Sequence, residues 1–265
     1  MRPAGTRYVM RCKAVDDLRL LIDLHEDGPR QGPGGDHETR LAVALSGLKG
    51  MANLRIADIG CGTGASTLVL TRELDAHVTA VDFLPAFLAR LDDAAGRAGV
   101  ADRVTTLAAS MEALPFAEAS YDAIWSEGAI YNVGFAAGIA AWRKYLKPGG
   151  ILAVSELTWL TGERPEELQA HWEREYPEVD TASGKMAVLE RLGFSPIGYF
   201  PLPEHCWLDN YYRPLQRRFA DFLDRHEASE AARALVAAEE EEISLYERYK
   251  AFVSYGYYIA RKLGV

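Results

Sequence analysis

The fold is decided by the stretch Leu54-Arg55-Ile56-Ala57-Asp58-Ile59-Gly60-Cys61-Gly62-Thr63-Gly64-Ala65. Its short apolar run, bounded by a turn, is typical of a parallel strand that is covered on both faces. The three glycines provide backbone that adopts positive φ and lies close to a ligand. The residues from Ser66 to Leu74 predict a helix that packs back on the sheet. Such a glycine loop between a strand and a helix is where an open α/β sheet binds a nucleotide-like ligand.

An acidic residue after the next strand narrows the choice of ligand. The run from His77 to Val81 predicts a second strand, and Asp82 at its carboxyl end can accept both hydroxyls of a ribose. Glycine turns alone are common, and dinucleotide-binding enzymes carry a similar loop. The loop D-I-G-C-G-T-G, however, places Asp58 two residues before the first glycine and lacks the last glycine of the dinucleotide fingerprint. A nicotinamide-dependent oxidoreductase is therefore disfavoured.

These motifs together resemble the class I methyltransferases that depend on S-adenosylmethionine (SAM). A further marker of that family is K-P-G-G-x-L from Lys147, which we interpret as the stop of a helix predicted from Phe135 to Leu146, followed by a fifth strand. The resemblance implies a Rossmann-like α/β fold with a seven-stranded, mostly parallel sheet and helices on both faces. The implied strand order is 3-2-1-4-5-7-6, with strand 7 antiparallel. In this family the glycine loop meets the amino-acid end of SAM, and the product is S-adenosylhomocysteine (SAH).

A closer resemblance runs along nearly the whole chain. It is carried by S-E-G-A-I-Y-N-V-G-F from Ser126, W-R-K-Y-L-K-P-G-G from Trp142, E-R-P-E-E-L from Glu163 and E-H-C-W from Glu204. These segments look like a bacterial and archaeal group of SAM-dependent methyltransferases near the ubiquinone/menaquinone-biosynthesis type. The likeness points to the fold and the cofactor and leaves the methyl acceptor open.

The resemblance assigns cofactor contacts to the predicted strand ends. Asp82 is expected on the ribose and Phe83 against the adenine, although core packing explains Phe83 equally well. Ser110 and Met111 open a turn ending in L-P-F, where the family more often has aspartate at the first position. Gly32 lies in a glycine-rich turn that we interpret either as a plain linker or as a lid loop over SAM. The predicted cofactor-binding set is Gly32, Asp58, Gly60, Cys61, Gly62, Gly64, Asp82, Phe83, Ser110, Met111 and Glu127.

Two side chains are predicted to assist catalysis on the acceptor side. Glu127 lies in the loop after the fourth strand, which faces the transferred methyl group in this family, and His205 follows the sixth strand. A solvated loop acid and a structural histidine are the respective alternatives. A general base is needed only where the nucleophile holds a proton near neutral pH. The spacing of cysteines and histidines does not indicate a metal site, so no metal is predicted.

The composition bounds the class of protein. The 265 residues are 49% hydrophobic, which is enough to bury one large core. The net charge of −9 disfavours a nucleic-acid substrate, because an acidic surface repels phosphate backbones. The three cysteines, Cys12, Cys61 and Cys206, are typical of a reducing compartment. With no apolar run that could cross a bilayer and no signal peptide in Met1 to Lys13, we expect a cytoplasmic protein without a membrane partner.

The chain is interpreted as a single methyltransferase domain, residues 1–265, with two additions. Residues 1–50 are expected to form N-terminal helices and the lid loop. Residues 208–250 predict a helical cap inserted between the sixth and seventh strands, in two helices that meet near His226. We interpret this insertion as a cover for the acceptor pocket, and the alternative is a homodimer interface. The acidic run from Glu239 to Glu242 is expected on a solvated helix face.

The predicted function is transfer of a methyl group from SAM to a small-molecule acceptor through its oxygen, nitrogen, carbon or sulfur. Methyl transfer is an in-line displacement at a carbon that the sulfonium already activates. The enzyme therefore mainly aligns the nucleophile and excludes water. The alternative from another class is a SAM-binding regulatory or scaffold protein without turnover.

Overall fold

One mixed β-sheet organises the computed structural model, which describes residues 15–264. The strands run in the order β3-β2-β1-β4-β5-β8-β7, with β6 paired to β5. Strand β8 is antiparallel to both neighbours, and the pairs among the first five strands are parallel. The strands are β1 (Leu54–Ile59), β2 (Ala76–Asp82), β3 (Val104–Ala108), β4 (Tyr121–Glu127), β5 (Leu146–Trp159), β6 (Asp180–Thr181), β7 (Phe194–Pro201) and β8 (Val253–Lys262).

The predicted fold class and strand order are confirmed, since the sixth and seventh predicted strands correspond to β7 and β8. The two-residue strand β6 was not predicted. Among residues 15–264, no helix is long and apolar enough to span a bilayer. The predictions about Met1 to Lys13, with Cys12, fall outside the described residues.

Helices cover both faces of the sheet because each central strand is apolar on both sides. In β1, Ile56 packs in one buried cluster, and Ala57 and Ile59 pack in another. The helices are α1 (Val15–His25), α2 (Asp36–Ser46), α3 (Ala65–Glu73), α4 (Pro85–Ala98), α5 (Phe135–Trp142), α6 (Glu166–Glu175), α7 (Ala182–Arg191), α8 (Glu204–Trp207), α9 (Arg213–Gln216), α10 (Phe219–Arg225) and α11 (Glu230–Tyr249).

We predicted that Lys147 to Gly150 end a helix, but these residues are part of β5. Helix α5 ends at Trp142, and a short 3₁₀ turn, Arg143–Tyr145, leads into the strand. The pairing of β4 with β5 shifts register within this segment, and Gly149 has a φ of +74°. A bulge that requires positive φ explains the glycine better than a helix end does.

The insertion between β7 and β8 is less regular than the two helices that the sequence predicts. Its first part is a π-helical turn, Leu208–Tyr212, followed by the separate helices α9 and α10. Pro214 has no amide hydrogen for the carbonyl four residues earlier, so a regular helix is interrupted here. Its second part, α11, begins after Ser229, whose hydroxyl accepts a hydrogen bond from the Ala232 amide.

The acidic run on α11 does not form one solvated face, which corrects the prediction. Glu240 and Glu241 are exposed, but Glu239 is only 2% exposed and Glu242 is half-buried. Helical spacing places Glu239 and Glu242 on the same side as the buried residues Ile243 and Tyr246. Two carboxylates therefore point toward the interior of the molecule.

Candidate functional site

A cavity of about 420 Å³ opens at the carboxyl ends of the central strands. One part, the loop half, is formed by the segments that follow β1, β2, β3 and β4 together with the segment between α1 and α2. The other part, the aromatic half, is defined by Glu242 and the six rings of Tyr131, Trp172, Tyr176, Trp207, Tyr211 and Tyr255. Nine of the predicted cofactor residues line the cavity: Gly32, Gly60, Cys61, Gly62, Asp82, Phe83, Ser110, Met111 and Glu127. Asp58, Gly64 and His205 are not among its lining residues.

The glycine loop requires glycine for both conformation and space. Gly60, Gly62 and Gly64 have φ values of +75°, +56° and +90°. A Cβ atom on Gly60 would collide with Ala129, and one on Gly64 would collide with the Leu91 side chain. The loop can therefore pass close to neighbouring segments and keep its backbone near the cavity.

Asp58 supports this loop from beneath. The side chain is fully buried, and Oδ2 accepts hydrogen bonds from Ser66 Oγ (2.7 Å) and Thr67 Oγ1 (2.6 Å) in the first turn of α3. Its other oxygen, Oδ1, has no hydrogen-bond partner among residues 15–264. Burial raises the pKa of Asp58 to about 7, and the two hydroxyls oppose this shift. Asp58 thus orients the start of α3, and the described geometry does not place it on the cavity wall.

Asp82 is held in a fixed orientation at the end of β2. Its Oδ2 accepts the Gly62 amide (2.9 Å), and its Oδ1 accepts the Leu84 amide (2.9 Å). Burial raises the pKa of this carboxyl, while the backbone amides act in the opposite direction. Each oxygen keeps a second lone pair, so the carboxylate can accept a pair of ligand hydroxyls without losing its own partners.

The next two predicted contacts border the same half of the cavity. Phe83 is 58% exposed, which is unusual for a phenylalanine, so packing in the core does not account for it. The Ser110 hydroxyl accepts the Glu112 amide (3.2 Å), which uses this side chain in its own turn. The Met111 carbonyl accepts Trp142 Nε1 (3.0 Å), so this loop is tied to α5.

The segment between α1 and α2 closes the loop half, and the sequence did not predict Arg30 and Gln31 of this segment as lining residues. Gln31 Oε1 accepts both the amide (2.8 Å) and the hydroxyl (3.0 Å) of Thr63 in the glycine loop. Gln31 Nε2 donates to the carbonyls of His25 and Gly28. Gly32 borders the cavity, and a Cβ atom there would meet nothing within 4 Å. The contacts of this segment with the cavity are therefore made chiefly by side chains, which no glycine pattern reveals.

Glu127 is the most heavily bonded carboxylate of the site. Its Oε2 accepts Arg30 Nη1 (3.0 Å). Its Oε1 accepts Thr39 Oγ1 (2.7 Å), Trp125 Nε1 (3.1 Å) and Tyr257 Oη (2.9 Å). These four donors engage both oxygens and hold the carboxylate in one orientation.

His205 lies elsewhere, and its predicted place on the acceptor side is corrected. The side chain is 47% exposed, and Nε2 is 3.4 Å from Glu38 Oε1 and 3.7 Å from Cys206 Sγ. Potential metal-ligating atoms of these three residues lie within 4.8 Å of one another, a juxtaposition that spacing along the chain does not reveal. The helix α8 turns His205 outward, whereas Trp207 on the same helix faces the cavity.

The aromatic half is built largely by elements beyond the fifth strand. Trp207 lies edge-on to Tyr255 with ring centroids 4.8 Å apart, and Tyr131 lies edge-on to Tyr176 at 6.2 Å. Behind Tyr176, burial raises the pKa of Glu156 to about 7 and lowers that of Lys185. Lys185 Nζ donates to the Glu178 carbonyl (2.8 Å) and does not line the cavity.

The comparison with known protein families bears mainly on one half of the cavity. Residues 56–150 match the family described as the methyltransferase domain. This part of the chain resembles a methyltransferase domain. The domain includes the glycine loop, Asp82, Ser110, Met111 and Glu127, but almost none of the aromatic half. The match thus covers most of the loop half and leaves the aromatic half to be interpreted from its own chemistry.

A curated relative and two solved structures are similar to the chain. A malonyl-[acyl-carrier protein] O-methyltransferase from Dechloromonas aromatica is 34% identical over 58% of this chain and 53% of its own length. A SAM-dependent methyltransferase from Geobacter sulfurreducens, solved with SAH, superimposes with a TM-score of 0.80 at 20% identity, over 91% of this chain and 97% of that one. The [4+2]-cyclase SpnF superimposes with a TM-score of 0.76 at 21% identity, over 100% and 98% of the two chains.

These similarities bear on fold more than on reaction. The chain spans about half the length of the curated relative, and both structural neighbours are too distant in sequence to transfer more than architecture. One of those neighbours is named for a cyclisation, so the shared fold does not by itself decide the chemistry.

Proposed function

We propose that the protein transfers a methyl group from SAM to a small-molecule acceptor and releases SAH. The observation that supports this most strongly is the single cavity that joins the two halves. The loop half, within the methyltransferase domain, holds SAM, and the aromatic half holds the acceptor. Methyl transfer needs the nucleophile and the sulfonium methyl aligned in one space from which water is excluded, and apolar rings provide such a space.

The cofactor contacts follow from the orientation of each side chain. Asp82 accepts the ribose hydroxyls, and Phe83 offers an exposed ring to the adenine. The glycine loop and Glu127 hold the amino-acid end, where the ammonium group of SAM meets the fixed negative charge of the carboxylate. Arg30 and Gln31 close this end, and Asp58 keeps α3 in register.

Glu127 is proposed as a cofactor anchor rather than as a general base. Its partners, Arg30, Thr39, Trp125 and Tyr257, already engage both oxygens, so the surrounding protein and not a nucleophile sets its orientation. A catalytic role for His205 has no support from its position outside the cavity. The reaction proposed here relies on alignment and dehydration.

Residues 208–250 are proposed to cover the acceptor, since Tyr211 and Glu242 of this insertion line the aromatic half. The same insertion contributes Leu215, Phe222 and Ile243 to the main hydrophobic cluster. It is therefore part of the core as well as a cover, and its removal would expose that core. Three points remain predictions from the sequence: a relation to the ubiquinone/menaquinone-type methyltransferases, a cytoplasmic location and the absence of nucleic-acid partners. A homodimer interface remains the alternative role of the insertion.

Calorimetric titration with SAM tests the cofactor assignment. Asp82→Asn should weaken SAM binding about 10–100-fold, because charge-assisted hydrogen bonds of about 1.5–3 kcal/mol are lost. The matched control is Asp93→Asn on the exposed side of α4, which should leave the affinity unchanged. Equal affinities of the two variants would contradict the assignment.

Turnover is tested by measuring SAH formation with panels of amines, alcohols, thiols and carboxylic acids. Acceptor-dependent SAH formation is the expected result. SAM binding without turnover on any panel would favour the regulatory alternative.

A further inference from the structure

A carboxylate, an imidazole and a thiol meet outside the cavity, between the start of α2 and the short helix α8. His205 Nε2 lies 3.4 Å from Glu38 Oε1 and 3.7 Å from Cys206 Sγ. One potential ligand atom from each of the three residues lies within 4.8 Å of the other two. None of the three side chains lines the cavity, so the cluster is separate from the cofactor and acceptor contacts.

The spacing of these atoms matches the coordination sphere of a small divalent cation. Zinc binds nitrogen at about 2.0–2.1 Å, carboxylate oxygen at about 2.0–2.2 Å and thiolate sulfur at about 2.3 Å, in a tetrahedral arrangement. Neighbouring ligand atoms in such a sphere are therefore about 3.3–3.7 Å apart. Both distances measured from His205 Nε2 fall in this interval. The side chains thus approach the positions of zinc ligands without a change of backbone.

The chemistry of the three groups favours zinc over harder cations. Thiolate and imidazole are ligands for zinc and its neighbours in the first transition row, whereas magnesium and calcium require oxygen. Three protein ligands leave the fourth tetrahedral position for water. The His205 side chain is 47% exposed, while Glu38 and Cys206 are buried. A cation can therefore enter past the histidine.

The packing around Glu38 holds its carboxylate at this position. A Cβ atom on Gly35 would collide with Glu38 Oε2, so the glycine leaves the room that the carboxylate occupies. The Cys206 carbonyl accepts the Gly34 amide (3.3 Å), and the Gly34 carbonyl accepts Asn210 Nδ2 (2.7 Å), which joins the two segments nearby. Glu38 Oε2 is buried and has no hydrogen-bond partner among residues 15–264. Such an oxygen costs free energy, and a bound cation removes that cost.

We propose that Glu38, His205 and Cys206 bind one zinc-type divalent cation, which fastens α2 to α8. On binding, a bond forms between the metal and sulfur, and the thiol releases its proton to solvent without any change of oxidation state. The proposal departs from the sequence-based prediction that no metal binds. It does not depend on the reaction in the cavity, because the cation is a structural clip and not a reactant.

The clip connects the two halves of the cavity through the residues that follow its ligands. Thr39, next to Glu38, donates to Glu127 Oε1 in the loop half (2.7 Å). Trp207, next to Cys206, lines the aromatic half. A cation held by the adjacent residues therefore fixes the distance between these two walls.

The test uses Co²⁺ as a spectroscopic probe in reduced protein that has been treated with a chelator. The wild type should bind one Co²⁺ per chain, with the intense visible bands of tetrahedral coordination and a thiolate-to-cobalt charge-transfer band. Zn²⁺ should displace the probe and abolish both signals, since zinc prefers tetrahedral nitrogen and sulfur ligands.

Variants locate the site. His205→Asn and Cys206→Ser should each weaken Co²⁺ binding at least about 100-fold, because loss of an outer-shell partner alone costs about 10–100-fold. Cys206→Ser should also remove the charge-transfer band. The matched control is His37→Asn, which removes an exposed histidine one residue before Glu38 and should bind Co²⁺ as the wild type does.

Three results would overturn the proposal: no stoichiometric Co²⁺ binding, the weak spectrum of six-coordinate cobalt, or a charge-transfer band that persists in Cys206→Ser. Equal Co²⁺ affinities of His37→Asn and His205→Asn would do the same, since binding would then be adventitious. His205 is half exposed, so His205→Asn still decides the question if Cys206→Ser fails to fold. Zn²⁺ should also raise the melting temperature of the wild type but not that of His205→Asn.

Discussion

Replacing Glu127 with glutamine tests whether the site depends on a fixed buried charge. The wild-type carboxylate is 8% exposed, and Arg30 opposite it is 10% exposed. Glutamine keeps an oxygen that can accept from Thr39, Trp125 and Tyr257. It places an NH₂ group against Arg30 Nη1, so two donors then face each other and the guanidinium loses its buried partner.

The expected cost follows from that geometry. Removing one partner of a buried ion pair destabilises a protein by about 3–5 kcal/mol, and Arg30 keeps a second, exposed contact with Asp36. We therefore expect the free energy of unfolding to fall by about 2–4 kcal/mol. Urea denaturation at pH 7 measures this difference through the midpoint, provided that the slope is unchanged.

Asp36→Asn is the matched control, because it removes the other acid from Arg30. The Asp36 side chain is 52% exposed, so its loss should cost less than about 1 kcal/mol. If the two variants were destabilised equally, the buried pair would not be the source of the effect and the reasoning about Glu127 would fail.

Two further predictions concern the support of the glycine loop. The pKa of Asp58 is about 7 in the folded protein against 3.8 ordinarily, so the stability it provides is present below pH 4 and lost as the pH rises through 7. The free energy of unfolding of ligand-free Asp58→Asn should therefore exceed that of the wild type by an amount that grows between pH 4 and 8, up to about 4 kcal/mol. Denaturation curves in which this difference does not grow with pH would contradict the prediction. Gly64→Ala should lower both the stability and the SAM affinity, because φ is +90° and the Leu91 side chain occupies the space that the new Cβ atom needs. The control is Gly96→Ala inside α4, where a Cβ atom would meet nothing within 4 Å, and it should be neutral or stabilising by about 0.5–1 kcal/mol. Equal melting temperatures of these two variants would refute the steric argument.

The parts that the sequence predicted well are those encoded by neighbouring residues. The apolar run of β1, the glycines after it and Asp82 at the next strand end are local signals, and the structure confirms the strand order implied by the family that they resemble. Nine residues that these signals and the family resemblance predicted for the cofactor site line one cavity.

The parts that the sequence did not predict depend on contacts between distant segments. Gln31 reaches Thr63, and Arg30 reaches Glu127, through side chains whose targets no local pattern specifies. The acids of α11 were misassigned because a run of four glutamates looks polar all round, although only two of them fall on the outer face. His205 follows a strand end, as site residues often do, but the short helix α8 turns it away from the cavity.

The position of Tyr257 has a consequence for the order in which the protein is assembled during synthesis. Strand β8, near the C-terminal end, is inserted between β5 and β7, so the sheet cannot be completed until residues 253–262 have left the ribosome. Glu127 is made 130 residues before the tyrosine that hydrogen-bonds to it. A nascent chain that already contains residues 56–150, which match the methyltransferase domain family, therefore lacks one wall of the candidate site. Productive ligand binding should consequently begin only after residues 253–262 have been synthesised.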